Sequence, residues 1–348
     1  MSKKNQVNNK IFNLNLKPIH RYIFKRLLFS IITIFAINFI VFTISRLAGD
    51  PVAAYVTPST PPEKIPVIRK MYHLDEPIPI QFIYYLQNVI NGDFGRAASY
   101  GYVKISEIIY RYLPLSFEFN LYSLILTLPI SYWLGTKAAT KRDTAFDHAA
   151  RLAGIFGNCV PAFFTGLLIL AFLYPRDLIT VDPVFRFTRI TGMPTFDAIL
   201  NWDYEGLIEA FKYLVGPLLT SFITGFASNT RILRSSILEE LSKDYITTGK
   251  SKGLSKDYVE KHYARRNALI PFMTILGLSI ATMFSGNAIM EVVFNRAGVG
   301  AVSANAAKIS DHPTVQAFTL IYSVMLVSAN FVIDIIYGYL DPRIRIGE

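Results

Sequence analysis

Six uncharged, apolar runs set the limits on what this chain can fold into: residues 27–45, 119–136, 152–175, 213–230, 267–290 and 313–333. Each is close to the roughly 20 residues that a helix needs to cross about 30 Å of hydrocarbon. Core helices of soluble domains rarely run that far without a charge, and six in one chain of 348 residues make an all-α integral membrane protein with six transmembrane helices the expectation. Composition agrees: 17% of residues are charged, against roughly 25% in soluble domains. The first run is longer than the apolar stretch of a signal peptide, and no small-residue cleavage site follows it, so it is expected to remain as a helix.

The net charge of +10 suits charged loops better than nucleic-acid binding in so apolar a chain. If the N-terminus is cytoplasmic, the inner segments are 1–26, 137–151, 231–266 and 339–348. These are shorter in total than the outer segments 48–113, 175–212 and 292–313, yet hold most of the 35 Lys and Arg. The positive-inside rule then places both termini in the cytoplasm of a multi-pass cytoplasmic-membrane protein. Residues 1–20 read as a disordered cytoplasmic tail whose lysines can meet anionic lipid. Residues 21–112 read as the first membrane helix plus a large extracytoplasmic segment, and 113–348 as the core. Within the outer segment a short amphipathic helix is expected over 81–90, with Phe82, Tyr85, Leu86 and Val89 on one face. A second helix is expected over 103–113, leading into the second span through Pro114. A further short helix is expected over 204–213.

Catalytic patterns are missing. The sequence holds no G-x-x-x-x-G-K-[ST] loop for nucleotide phosphates, no H-E-x-x-H, no C-x-x-C and no G-x-S-x-G. The single cysteine, Cys159, cannot form an internal disulfide. No cofactor or metal is expected on this chain. Glu118, Glu291 and Asp334 fall at span edges rather than at midplane, which favours structural roles over ion coupling. In the fifth run Gly277, Ala281 and Ser285 recur every four residues, a stripe that suits close helix packing. Ser285 and Asn287 there, with Thr220 and Ser221 of the fourth run, are the candidates for a translocation pathway.

The inner segment 231–266 is long, helix-compatible and rich in both signs of charge, with Gly249 and Gly253 as interruptions. On these grounds it is either a docking element or a solvated hairpin.

Four stretches carry a resemblance to a known family. Arg21-Tyr22 and Lys25-Arg26-Leu27-Leu28, with Gly49-Asp50-Pro51 beyond the first run, form the first. Gly92-Asp93-Phe94-Gly95-Arg96 is the second. The third is Asp244-Tyr245-Ile246-Thr247-Thr248-Gly249-Lys250-Ser251-Lys252-Gly253-Leu254-Ser255, followed by Arg266-Asn267-Ala268-Leu269-Ile270-Pro271. The last is Leu340-Asp341-Pro342-Arg343-Ile344-Arg345. Together these resemble the dipeptide/oligopeptide/nickel permeases of ATP-binding-cassette importers, in particular the first of their two permease subunits. The resemblance implies the type I (MetI-like) permease fold. It also implies that about 234–267 forms the EAA coupling loop, gripped by a separate ATPase. The matching positions are Asp244, Tyr245, Thr247, Thr248, Gly249, Lys250, Lys252, Gly253 and Leu254. The implied partners are a second related permease, two ATPase subunits that bind ATP and Mg, and an extracytoplasmic substrate-binding protein. The implied cargo is a short peptide, with a nickel chelate, glutathione or another small solute as the alternative. An ion-coupled secondary transporter is the remote reading, since no mid-membrane carboxylate supports it. Two positions depart from the family pattern: Gly249 stands in a small-residue triplet that usually contains Ala, and Arg296-Ala297 where Trp-Pro is usual.

Overall fold

A computed structural model describes residues 16–56 and 59–340. Most of the expected tail, and the Asp341–Arg345 motif, lie outside them. The first helix, α1, runs Leu16–Ala48, so the last residues of the expected tail are helical. After it follow α2 (Ile65–Met71), α3 (Ile78–Ile90) and a hairpin of β1 (Arg96–Ala97) antiparallel to β2 (Val103–Lys104). The chain continues through α4 (Ile105–Thr140), α5 (Ala145–Cys159), α6 (Ala162–Leu173), α7 (Pro194–Leu200) and α8 (Tyr204–Leu241). Then come α9 (Asp244–Ser251) and α10 (Lys256–Val259), which passes through a π-helical turn (Glu260–Ala264) into α11 (Arg265–Ala281). Two short helices, α12 (Ala288–Val293) and α13 (Val299–Lys308), precede α14 (His312–Leu340).

Four of the described helices, α1, α4, α8 and α14, are long and apolar enough to cross a membrane, and α5 with α6 makes a fifth if the bent pair is one span. The six expected runs therefore do not become six straight helices. The third breaks because Pro161 offers no N–H and pushes Val160 to extended backbone (φ −84°, ψ 124°), leaving a 98° bend. The fifth ends early. Its helix is 17 residues long, short of a full bilayer crossing. Gly286 at φ +70° then turns the chain, and helix resumes only at Ala288. Ser285 thus lies beyond the helix that was expected to carry it. The rest of the stripe does pack: a Cβ at Gly277 would meet Ile333 of α14 at 2.8 Å.

Other segments are more continuous than the sequence suggests. The helix expected over 103–113 and the second span are one helix, α4, which passes Pro114 without a break. Proline there frees the carbonyl of Tyr110, and Arg189 takes it, its Nη2 donating at 2.7 Å. Likewise the helix expected over 204–213 is the first third of α8. At 38 residues α8 is about 57 Å long, so it stands well clear of a 30 Å core.

Helix α8 is the hub, packing on α4, α5, α6, α7 and α11, while α1 lies along α14. A Cβ at Gly157 would meet the Ile223 carbonyl at 2.7 Å, and one at Gly135 the Thr230 carbonyl at 2.9 Å, so both glycines set the approach to α8. On α3, Phe82 is buried against Phe35, Phe39 and Phe42 of α1. This is the apolar face expected for that helix. Three clusters fill the core. One joins Ala97, Ile105 and Ile108 to Val302 and Phe318 and ties the hairpin to α13 and α14. A second holds Phe119, Leu214, Met290 and Phe294, and a third Leu128, Leu233, Ile237 and Phe272. A fourth, small cluster lies in the α9–α10 segment.

Candidate coupling and pathway sites

Helices α9 and α10 form a helix–turn–helix at the end of α8. Lys252, Gly253 and Leu254 make the turn: Gly253 at φ +78° donates to Lys250 O (2.9 Å), Leu254 N donates to Gly249 O (3.3 Å), and Ser255 Oγ accepts from Tyr258 N. A left-handed residue closing a helix is what glycine does at least cost. Gly249, by contrast, does not interrupt. It lies within α9, buried against Val259.

The nine expected coupling residues divide by direction. Asp244, Thr247, Thr248, Lys250, Lys252 and Gly253 are exposed, while Gly249 is buried and Tyr245 and Leu254 are half-buried. Ile246, which carried no special expectation, is completely buried among Val259, Ala264, Leu241, Tyr245 and Leu254. It is the anchor of the segment. Its signal in the sequence is only an apolar side chain one turn from Gly249 in an otherwise polar helix.

Tyr245 fastens the segment to the bundle. Its hydroxyl donates to Glu240 at the end of α8 and accepts from Asn267 Nδ2 at the start of α11 (3.1 Å). Lys243 Nζ donates to Glu240 Oε1 at 2.5 Å. Burial, and then the Glu240 carboxylate it faces, hold the Tyr245 phenol above its ordinary pKa, so it remains a protonated donor at neutral pH. Tyr245 thereby ties α9 to the ends of two bundle helices.

A second feature lies among α4, α8 and α11. A polar cleft of about 200 Å³ is lined by Asn120 and Thr127 of α4, Ser221 and Asn229 of α8, and Ser279 and Thr282 near the end of α11. No lining residue is ionisable. The hydroxyls of Thr127 and Ser221 are buried and have no hydrogen-bond partner among the described residues. Of the four pathway candidates, only Ser221 lines this cleft. Thr220 is fully buried and donates to Gly216 O (2.9 Å), Ser285 donates to Thr282 O (2.7 Å), and Asn287 caps α12 by accepting from Met290 N (3.2 Å). The cleft was illegible because its residues come one or two from each helix, and three-dimensional packing alone brings them together.

The edge carboxylates are built into contacts between separate segments of the bundle. Glu118 Oε1 accepts from the amide and hydroxyl of Thr195 (2.8 and 2.5 Å). Arg296 is fully buried, its guanidinium 3.7 Å from Glu118, over the rings of Tyr213 and Phe119, and bonded to Leu115 O. The departure from Trp-Pro therefore places a cation inside an aromatic cage, and Glu118 answers its charge. Asp334 pairs with Arg26 across α14 and α1 at 3.1 Å.

With this geometry in place, comparison with known proteins is direct. Residues 128–346 match the family described as the inner membrane component of binding-protein-dependent transport systems, and 19–106 match its N-terminal membrane component. The chain belongs to this permease family. The permease is 33% identical to the probable D,D-dipeptide transport system permease of Escherichia coli, over 88% of its own length and 92% of the relative's. It is 31% identical to a probable peptide transporter permease of Sinorhizobium fredii over 93% and 99%, and 29% identical to a glutathione transport permease of Salmonella choleraesuis over 93% and 98%. It is thus a multi-pass membrane protein and a transporter subunit rather than an enzyme. ATP hydrolysis belongs to separate subunits, and the permease works with ATPase and substrate-binding partners.

The Gly249 departure gives a prediction. A Cβ there would sit 3.4 Å from Val259 Cγ2, an ordinary contact. Gly249→Ala is therefore expected to stabilise α9 by about 1 kcal/mol through helix propensity. Amide hydrogen exchange across 244–251 should slow in the variant, and unchanged exchange would show that α9 gains nothing from the methyl group.

Proposed function

We propose that this permease is the first of two related permease subunits of an importer for short peptides, with both termini cytoplasmic. Two ATPase subunits drive it and an extracytoplasmic binding protein delivers its cargo. The observation that carries this reading is the α9–α10 segment: a polar, exposed face of Asp244, Thr247, Thr248, Lys250 and Lys252 on a helix pinned from behind by Ile246 and Tyr245. A solvated loop has no need of a buried anchor or of bonds to two span ends, whereas a lever needs both. ATPase closure pushes α9, and the push shifts the bundle between states that partner and cargo bind differently.

Peptide cargo is supported by the relatives, which are permeases of peptide, D,D-dipeptide and glutathione transport systems. The cleft adds a chemical reason. Uncharged amide and hydroxyl groups suit peptide backbone amides without choosing among side chains, which leaves selection to the binding protein. Orientation is supported by the concentration of Lys and Arg in 231–266 and 137–151.

The test is labelling of single cysteines at Thr247 and Lys250 in intact cells, in a Cys159→Ser background, with co-purification in mild detergent. The expected result is protection from an impermeant maleimide and recovery of ATPase subunits with the permease. Labelling of either position from outside overturns both the orientation and the coupling assignment.

A further inference from the structure

A groove of about 360 Å³ opens between α5 and α8, lined by Arg151, Gly154, Asn158, Cys159, Arg231 and Arg234 among others. Its charge is unbalanced. Asp147 is engaged by Arg234 through two bonds of 2.6 and 2.8 Å, with Arg151 at 3.8 Å. Arg231 is exposed and meets no acceptor among the described residues. Three guanidiniums therefore face a single carboxylate. Thr230 also lines the groove, and its Oγ1 is buried without a hydrogen-bond partner among the described residues.

The depth of the groove follows from neighbouring contacts. Gly135 lies against Thr230 and Leu233, which sets Trp133 and Lys137 of α4 level with Arg231 and Arg234 of α8. Trp133 is 55% exposed, and Lys137 Nζ lies 4.6 Å from its ring and from that of Phe146 on α5. An exposed tryptophan beside a lysine marks the headgroup level of a bilayer. Farther along α5, Leu152, Ile155 and Phe156 are all exposed and apolar, pointing to hydrocarbon. The groove thus has a cationic head at the interface and a greasy wall running inward from it.

We propose that this groove binds one anionic phospholipid, its phosphate held by Arg151 and Arg231 with the Thr230 hydroxyl, and its acyl chains lying along Leu152, Ile155 and Phe156. Arg234 is kept in place by Asp147 and adds field rather than contact. Basic pockets between membrane helices select anionic headgroups, and each arginine near the surface contributes about a fivefold preference. The inference needs no particular cargo or coupling mechanism, so its failure leaves those readings untouched.

Cys159, the only cysteine, lies exposed at the groove and reports on occupancy. The assembled transporter is placed in nanodiscs of phosphatidylcholine alone or with phosphatidylglycerol, and the rate of maleimide addition at Cys159 is followed. Lipid retained on extraction is counted by native mass spectrometry. Phosphatidylglycerol is expected to slow labelling and to be retained in preference to phosphatidylcholine. The preference should fall about 25-fold in R151Q/R231Q. Inorganic phosphate in phosphatidylcholine discs should not slow labelling. Equal labelling of the unaltered protein in both lipids overturns the proposal without reference to any variant. So does equal slowing by inorganic phosphate, which assigns the arginines to a free anion. Complete shielding of Cys159 in both lipids also overturns it, by giving the groove to the second permease subunit.

Discussion

Glu291→Leu is expected to detach the cap formed by α12 and α13, at a cost of about 3–5 kcal/mol. The carboxylate is almost fully buried, and it gathers hydrogen bonds from three places. Oε1 accepts from Ser116 Oγ of α4 (2.7 Å) and from Asn287 N (3.1 Å), and Oε2 accepts from Ala301 N in the first turn of α13 (2.6 Å). Ser116 Oγ accepts in turn from Val299 N at 2.9 Å. A negative charge at a helix start is favourable in itself. Leucine would leave these buried donors without acceptors, each at about 1–3 kcal/mol. The backbone is fitted around the same group: a Cβ at Gly298 would collide with the Glu291 carboxyl group, and one at Gly300 would lie 2.6 Å from Ala288 N. Gly300→Val should therefore reproduce the Glu291→Leu phenotype although it alters no polar group. Both variants are expected to lower the thermal midpoint in detergent and to increase proteolysis within 286–311. Glu291→Gln, which keeps one acceptor oxygen, should lie between them and the unaltered protein. A Glu291→Leu protein with an unchanged midpoint would mean that water, rather than the cap, satisfies these groups.

The fold was legible where a pattern is local and illegible where partners are distant. Apolar runs announced the membrane helices because a bilayer demands some 20 apolar residues in sequence. They did not announce the 98° bend at Pro161 or the early end of α11 at Ala281. The composition of those runs stays apolar through each break, and the break is a matter of one missing donor and one left-handed glycine. Pro114 shows the converse. Its local signal argues for a boundary, and Arg189, 75 residues away in sequence, removes that boundary by taking the freed carbonyl. The α9–α10 segment was readable as one unit because its motif is contiguous, but its division into a buried anchor and an exposed face required three dimensions. Ile246 turned out to be buried, and the lysines and threonines around it exposed. Arg296 was visible only as a departure. Arg296 lies in the connection between α12 and α13 and its partner Glu118 on α4, and nothing in either position's neighbourhood reports that the two meet.

The largest functional effect is expected from Ile246→Asp. Ile246 is completely buried, yet its cluster contains only two other buried residues, Val259 and Ala264. Burial of an isoleucine contributes about 1.5–3 kcal/mol, and an unpaired carboxylate in its place cannot stay there. Because the cluster is small and meets a bundle cluster at the half-buried Leu241 rather than through its buried residues, the substitution should free α9 without unfolding the membrane helices. Loss of one isoleucine's burial already corresponds to more than a tenfold shift in the docked population of α9. Co-purification of ATPase subunits is expected to fall by at least that factor, with membrane insertion and elution profile unchanged. Thr248→Trp tests the exposed face of α9 alone. Thr248 is exposed and its hydroxyl donates only to Asp244 O, within the same helix (3.0 Å), so tryptophan leaves the anchor intact and obstructs the outer face. If α9 is the lever, both variants lose the ATPase, one by disorder and one by obstruction. Hydrogen exchange separates them, fast across 244–251 in Ile246→Asp and unchanged in Thr248→Trp. Retention of the ATPase by Thr248→Trp, with loss in Ile246→Asp, would move the contact from α9 to the turn at Lys252-Gly253. Retention by both would show that the grip lies elsewhere on the chain.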